Sequence, residues 1–202
     1  LDEWRAGGET IALVPTMGAL HEGHLSLVRV AKSKAGRNCV TLFVNPAQFG
    51  EGEDFAEYPR DTDDDAEKLE NEGCDLLFRP DAEEIYPPGH ATKVTVVGLG
   101  DILEGEFRPG FFAGVATVVA KLLNQCRPDF ACFGEKDYQQ LQVVRRVVAD
   151  LDLKTEIVAC PTVREDDGLA MSSRNLRLGT EAREVSPVIG RVLESAANVI
   201  SQ

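Results

Sequence analysis

Apolar positions along this chain fall into short runs separated by stretches with helical spacing. Strand-like runs stand at Ile11 to Val14, Val40 to Val44, Asp75 to Phe78, Phe130 to Phe133 and Glu156 to Ala159. Each holds four or five mostly β-branched or apolar residues, the signature of strands buried on both faces. Between them, helical spacing recurs at Glu22 to Ala35, Thr62 to Glu72, Ala113 to Gln125, Tyr138 to Ala149 and Thr180 to Ile200. In the first of these, Leu25, Val28, Ala31 and Lys32 share one face. Strand and helix in alternation predict an α/β fold, a parallel sheet wrapped by helices. Thr92 to Val97 reads as a further strand at a sheet edge. In open parallel sheets ligands collect beyond the carboxyl ends of the strands, so the residues that follow strands are the ones to inspect.

Charge narrows the partners. The 202 residues carry 34 acidic and 21 basic side chains, a net charge of −13, which argues against nucleic acid as a partner. Much of the acid lies in Glu51 to Asp54 and Asp61 to Glu72. Asp63-Asp64-Asp65 reads as a solvated helix start, with magnesium binding by Asp64 and Asp65 as the alternative. No apolar run is long enough for a membrane span, and the expected compartment is the cytoplasm. Five cysteines without a Cys-x-x-Cys pair are expected to be reduced structural thiols. The chain opens on Leu1 and stops at Gln202 inside a helix-like run, as a fragment or processed product would.

Three segments after strands carry chemistry. The first, Pro15-Thr16-Met17-Gly18-Ala19-Leu20-His21-Glu22-Gly23-His24, joins a strand to a helix whose first turn has free amides suited to an anion. Two of the chain's three histidines lie here, three residues apart and therefore on one face. They read as phosphate donors, as metal ligands, or as capping and packing residues; the His-Glu-x-x-His spacing of helical zinc sites is not met. The second is Asn45 to Gly50, a polar turn that includes Gln48. The third, Gly134-Glu135-Lys136-Asp137, opens the helix that carries Gln140. Lys136 could neutralise phosphate, and Asp137 could cap the helix or accept from a ribose hydroxyl. A fourth, later turn, Gly168 to Arg174, bears two hydroxyls and a guanidinium fork suited to phosphate.

Together, Met17 to His24, Phe43-Val44-Asn45-Pro46, Gly134 to Asp137 and Met171-Ser172-Ser173-Arg174 resemble the pantothenate synthetase (pantoate–β-alanine ligase) family of the nucleotidylyltransferase superfamily. Tyr58-Pro59-Arg60 and Phe112 to Val115 extend the resemblance along almost the whole chain. It implies ATP-dependent condensation of pantoate with β-alanine through a pantoyl-adenylate, with Mg2+ accompanying the nucleotide, in a homodimer. It implies residues 1–162 as a Rossmann-like ATP- and pantoate-binding domain, an α/β parallel sheet wrapped by helices, and 163–202 as the beginning of a smaller C-terminal lid. Carried over by position, Met17, Gly18, Ala19, Leu20, His21, Glu22, Gly23 and His24 would line the phosphates, with His24 as proton donor assisted by His21. Gly134, Glu135, Lys136 and Asp137 would bind ribose and phosphate, and Val163 would meet adenine. Met171, Ser172, Ser173 and Arg174 would close over the phosphates, and Gln48 and Gln140 would hold pantoate. His21, His24, Lys136 and Arg174 form the implied catalytic set. One departure stands out: Phe111 occupies a position where the family commonly has histidine.

Overall fold

The computed structural model describes residues 1–200. Its elements in chain order are α1 (Asp2–Ala6), β1 (Ile11–Thr16), α2 (Glu22–Lys34), β2 (Arg37–Leu42), α3 (Thr62–Asn71), β3 (Leu76–Phe78), α4 (Ala82–Ile85) and α5 (Glu104–Phe107). There follow α6 (Phe111–Cys126), β4 (Phe130–Gly134), α7 (Tyr138–Asp150), β5 (Glu156–Cys160), α8 (Thr180–Val185) and α9 (Val188–Ile200). Single 3-10 turns cover Pro46–Gln48, Glu135–Asp137 and Ser173–Arg177.

The five strands form one sheet in the order β3-β2-β1-β4-β5, with every pair parallel. Side chains of alternate residues enter opposite faces. Leu13, Cys39, Ala131 and Phe133 pack with Val115, Val118, Val119, Leu122 and Leu123 of α6 and with Leu141 and Val144 of α7. Ala12, Val14, Val40, Leu42 and Cys132 pack on the other side with Leu27, Val28 and Ala31 of α2 and Leu69 of α3. A parallel sheet covered on both faces explains why its strands read as continuous apolar runs.

The chain reverses its direction of winding between β1 and β4, and there the two strands barely pair. β1 matches β2 over six residues but meets β4 only at Ala12 and Leu13. Pro15 lies past that point, so β1 continues through it to Thr16 instead of stopping. Thr16 turns to β2, where its carbonyl accepts from the Phe43 amide at 3.0 Å, and Pro15 turns to the side β4 has left. Its missing N–H therefore costs the ladder to β2 nothing and gives β4 no donor where the two strands part.

Two expected elements differ. Thr92 to Val97 joins no strand: Val94 and Val96 rest against Phe112, Ala116, Ala120, Val143 and Val147, and the Val94 amide donates to the Thr117 hydroxyl at 2.9 Å. The alternation in that segment comes from lying on α6 and α7, which gives the same period as a half-buried strand. The helix expected over Thr180 to Ile200 is two helices, broken at Ser186 and Pro187, because proline lacks the donor and disfavours helix in the residue before it.

Helix α6 runs very close to the turn after β2. A Cβ added to Gly114 would lie 2.1 Å from the Ala47 carbonyl oxygen, a backbone atom that cannot swing aside. Gly114→Ala is therefore expected to lower stability by about 1–3 kcal/mol, the range for overpacking. Urea unfolding of the two proteins checks this; an unchanged midpoint would contradict the close packing.

Candidate active site

Residues that follow β1, β2, β4 and β5 converge on one cleft. It encloses a cavity of about 220 Å³ and opens at the point where β1 and β4 part. Thr16 and Met17 come from the end of β1, Asn45 and Gln48 from the turn after β2, Gly134, Lys136 and Asp137 from the end of β4, and Val163 from beyond β5. His21, Gly23 and His24 come from the start of α2, Gln140 from α7, and Ser172, Ser173 and Arg174 from the late turn. Val115, Val118, Val119 and Leu122 of α6 supply an apolar wall with Phe43 and Phe133.

The turn from β1 to α2 bends through positive φ at Gly18 (85°) and Ala19 (50°). It is held by Asp65 of α3, whose two carboxylate oxygens accept from the Ala19 amide at 2.8 Å and the Leu20 amide at 2.7 Å. Asp65 is 1% exposed, and burial raises its pKa against the lowering effect of those two bonds. Thr16 adds a second hold: its hydroxyl accepts from the Gly18 amide at 3.3 Å and donates to the Thr41 carbonyl at 2.7 Å.

The two imidazoles cap the helix and face one another, ring centres 4.1 Å apart. Nδ1 of His21 accepts from the Gly23 amide at 3.1 Å, and Nδ1 of His24 accepts from the His21 amide at 3.3 Å. With Nδ1 accepting, each neutral ring carries its proton on Nε2 and can donate from there. Gly23 is needed because a Cβ there would lie 2.9 Å from the His21 ring. Burial pushes His24 down to about 3, helped by His21 and by the cations Lys136 and Lys68. His21 is lowered by burial and then by Lys136 and Lys68. Both rings are accordingly neutral at pH 7.

Asn45, 1% exposed, orients Gln48. Its amide nitrogen donates to the Gln48 carbonyl oxygen at 3.0 Å and to the Gly114 carbonyl at 3.2 Å, while its own oxygen accepts from the Tyr86 hydroxyl at 2.7 Å. The Gln48 amide nitrogen lies 3.1 Å from the Met17 sulfur. Ser173 donates to the Ala19 carbonyl at 3.0 Å, which joins the late turn to the histidine loop.

The structure thus brings together thirteen of the expected positions: Met17, His21, Gly23, His24, Gln48, Gly134, Lys136, Asp137, Gln140, Val163, Ser172, Ser173 and Arg174. It leaves Gly18, Ala19, Leu20, Glu22, Glu135 and Met171 out of the cleft lining. Leu20 is buried in the sheet core, Glu22 pairs outside with Arg29, and Gly18 and Ala19 form the turn that Asp65 holds. Asp64 and Asp65 do not make a cation site. Asp65 spends both oxygens on backbone amides, and Asp64 pairs with Lys68 at 2.6 Å. Among the described residues no three His, Cys, Asp or Glu gather as metal ligands. Phe111 lies outside the cleft lining, with the Arg108 guanidinium 3.8 Å above its ring. Thr16, Asn45 and Tyr58 lie in segments the sequence singles out but carried no assigned role, and the α6 wall carried none either; Tyr58 is buried under Arg174.

The pantoate-β-alanine ligase family model matches residues 1–202. The chain belongs to the pantoate–β-alanine ligase family. A pantothenate synthetase of Roseobacter denitrificans is 54% identical over 200 residues, covering 99% of this chain and 70% of that protein. The pantothenate synthetase structure from Thermus thermophilus superposes with a TM-score of 0.94 at 52% identity, covering 100% of this chain and 74% of the other. A Francisella tularensis pantoate-β-alanine ligase complexed with β-γ ATP and β-alanine superposes at 0.87 with 41% identity, over 93% of this chain and 72% of that one. As a pantoate–β-alanine ligase, the chain joins pantoate to β-alanine at the expense of ATP, in pantothenate biosynthesis.

The lowered histidines make stability depend on pH. Between a native value of about 3 and the unfolded value near 6.5, the unfolded chain takes up a proton on His24 that the native ring refuses. Stability is then complete above about pH 6.5 and falls as pH drops below it, by on the order of 1 kcal/mol from this ring near pH 5.5. Urea unfolding of the wild type and of His24→Gln at several pH values should show a shallower acid loss in the variant; equal slopes would contradict a neutral His24.

Proposed function

We propose that this cleft carries out the ligation in two steps. The pantoate carboxylate attacks the α-phosphorus of ATP in line with the leaving pyrophosphate, and the amine of β-alanine then displaces AMP from the pantoyl-adenylate. The observation that supports this reading is the meeting, in one cleft, of Nε2–H donors, a lysine, an arginine and two glutamines of complementary chemistry. No protein nucleophile is called for. The rate comes from holding the carboxylate against the phosphorus and from donors placed where negative charge grows.

His21 and His24 would donate from Nε2 to phosphate oxygens. Their lowered pKa suits this role, because an unprotonated Nδ1 goes on accepting from the loop amides and so keeps each ring oriented with Nε2–H outward. Lys136 and Arg174 would add full positive charge on opposite sides. Gln48, with its oxygen already held by Asn45, presents its amide nitrogen to the pantoate carboxylate, and Gln140 offers a second carboxamide. A cavity of about 220 Å³ suits a small branched hydroxy acid and a phosphoryl group, with the adenosine extending along Gly134 to Asp137 and toward Val163. Magnesium would arrive on the nucleotide's phosphates. Asp64 and Asp65 do not fit it, and no step here runs through them. The resemblance further supports a homodimer, a cytoplasmic location and a lid beginning at residue 163.

The test is exchange of labelled pyrophosphate into ATP, followed by β-alanine in the same sample. Exchange that requires pantoate, with AMP and pantothenate formed only after the amine, is the expected result. Exchange without pantoate would instead indicate a nucleotidyl transfer to another acceptor, and ATP binding without exchange a non-catalytic nucleotide site. His24→Ala is expected to slow exchange by about 10²- to 10³-fold. Gln48→Ala and Gln140→Ala should raise the pantoate KM while leaving ATP binding unchanged; loss of ATP binding in either would contradict their assignment.

A further inference from the structure

Arg174 does not stand at the cleft mouth unaided. The segment after the Pro46–Gln48 turn carries Asp54, 120 residues earlier in the chain, and its carboxylate meets the late turn directly. Oδ2 accepts from Arg174 Nε at 3.1 Å, Oδ1 from Arg174 Nη2 at 3.1 Å, and Oδ2 again from Arg177 Nη1 at 2.6 Å. Arg177 then donates from Nη2 to the Glu57 carbonyl at 2.7 Å. The Asp54 side chain is 22% exposed, so three donors converge on a carboxylate that water reaches only in part. The Arg174 guanidinium also lies 5.6 Å over the ring of buried Tyr58.

An isolated surface pair of this kind would count for little. Here the paired guanidinium lines the cleft, and the pairing takes a particular edge of it. Asp54 occupies the Nε–Nη2 edge in the two-point geometry that fixes the plane of an arginine. Among the described residues no protein group bonds the Nη1 amino group. A long side chain that would otherwise sample many rotamers is thus held with one edge committed and the other available to an anion.

We propose that Asp54 is a positioning residue for the ligation, one that fixes the Arg174 guanidinium at the cleft mouth and, through Arg177, ties the Ser173–Arg177 turn to the segment beside Tyr58. The inference rests on the ligation reading above. Orientation set before substrate arrives lowers the barrier because no reorganisation is left for the transition state. The opposite role is physically possible for the same contact: a carboxylate that competes with phosphate for Arg174 and must be displaced. The two make opposite forecasts for Asp54→Asn, which keeps the shape and removes the charge.

The experiment is pantoate-dependent pyrophosphate exchange, with ATP affinity measured separately by titration calorimetry, on wild type, Asp54→Asn, Asp54→Glu, Arg177→Ala, Arg174→Ala and the Asp54→Asn/Arg174→Ala pair. Positioning predicts that Asp54→Asn lowers the exchange kcat about tenfold with less than about threefold change in ATP affinity. Asp54→Glu should recover part of the loss, and Arg177→Ala should show a smaller one. In the Arg174→Ala background Asp54→Asn should change nothing further, a non-additivity that a general loss of structure would not produce. Tighter ATP binding with unchanged or faster exchange in Asp54→Asn would overturn the proposal in favour of competition. An equal loss with and without Arg174 would overturn it in favour of a merely structural role. A wild type that shows no pantoate-dependent exchange would overturn the ligation reading itself, and this inference with it.

Discussion

A single buried carboxylate decides the shape of this site. Asp65 reaches from α3 across to the turn between β1 and α2 and takes two successive amides, those of Ala19 and Leu20. A turn through two residues of positive φ has backbone donors that point away from any ladder, and they need an acceptor brought to them. Burial acts on Asp65 more strongly than the amides do, since its pKa is raised. The ionised group is therefore held at some expense of stability, and what it secures is one loop conformation among several. His21 begins the next helix immediately afterwards, so the direction of both imidazoles follows from that clamp.

The electrostatics of the cleft follow from the same arrangement. Burial in the loop, with the cations Lys136 and Lys68 nearby, lowers the pKa of both histidines. Full charge comes from lysine and arginine at the periphery, and directional N–H groups come from the imidazoles further in. That division suits a reaction whose charge migrates among phosphate oxygens, because directional donors can be aimed at individual oxygens while full charges act on the whole group. The protein's overall excess of acid lies elsewhere, along α3 and the segment before it.

Most of the architecture was legible because a doubly covered parallel sheet writes itself into the chain as apolar runs at Ile11, Val40, Phe130 and Glu156. The strand ends were less so. Arg37 and Asn38 open β2 bonded to Asp75, a polar start that hydropathy hides. Val94 and Val96 alternate as a strand would, yet helices lie beneath them. In the site, thirteen of the positions named from residue type and motif line one cleft. Leu20 and Glu22 lie off the cleft lining because a motif is read as a continuous string, whereas the turn buries Leu20 in the sheet core and the helix carries Glu22 outward to Arg29. Asp65 looked like one acid among many; its partners lie 45 and 46 residues away, beyond what local spacing can show. The role of Asn45 and the α6 wall stayed hidden for the same reason, being defined by contacts between distant segments.

Pro15 shows how such a cleft stays open. Two parallel strands lying side by side gain a bond for every residue by which they extend their pairing, and β1 and β4 would profit from zipping together past Leu13. Pro15 is the next residue of β1 that turns to that side, and it has no hydrogen to offer. The ladder is thereby interrupted at the level where the crevice begins, by the absence of a donor and without any bulky group intruding into the space. A vacancy in the hydrogen-bonding pattern of the sheet is thus converted into room for a substrate.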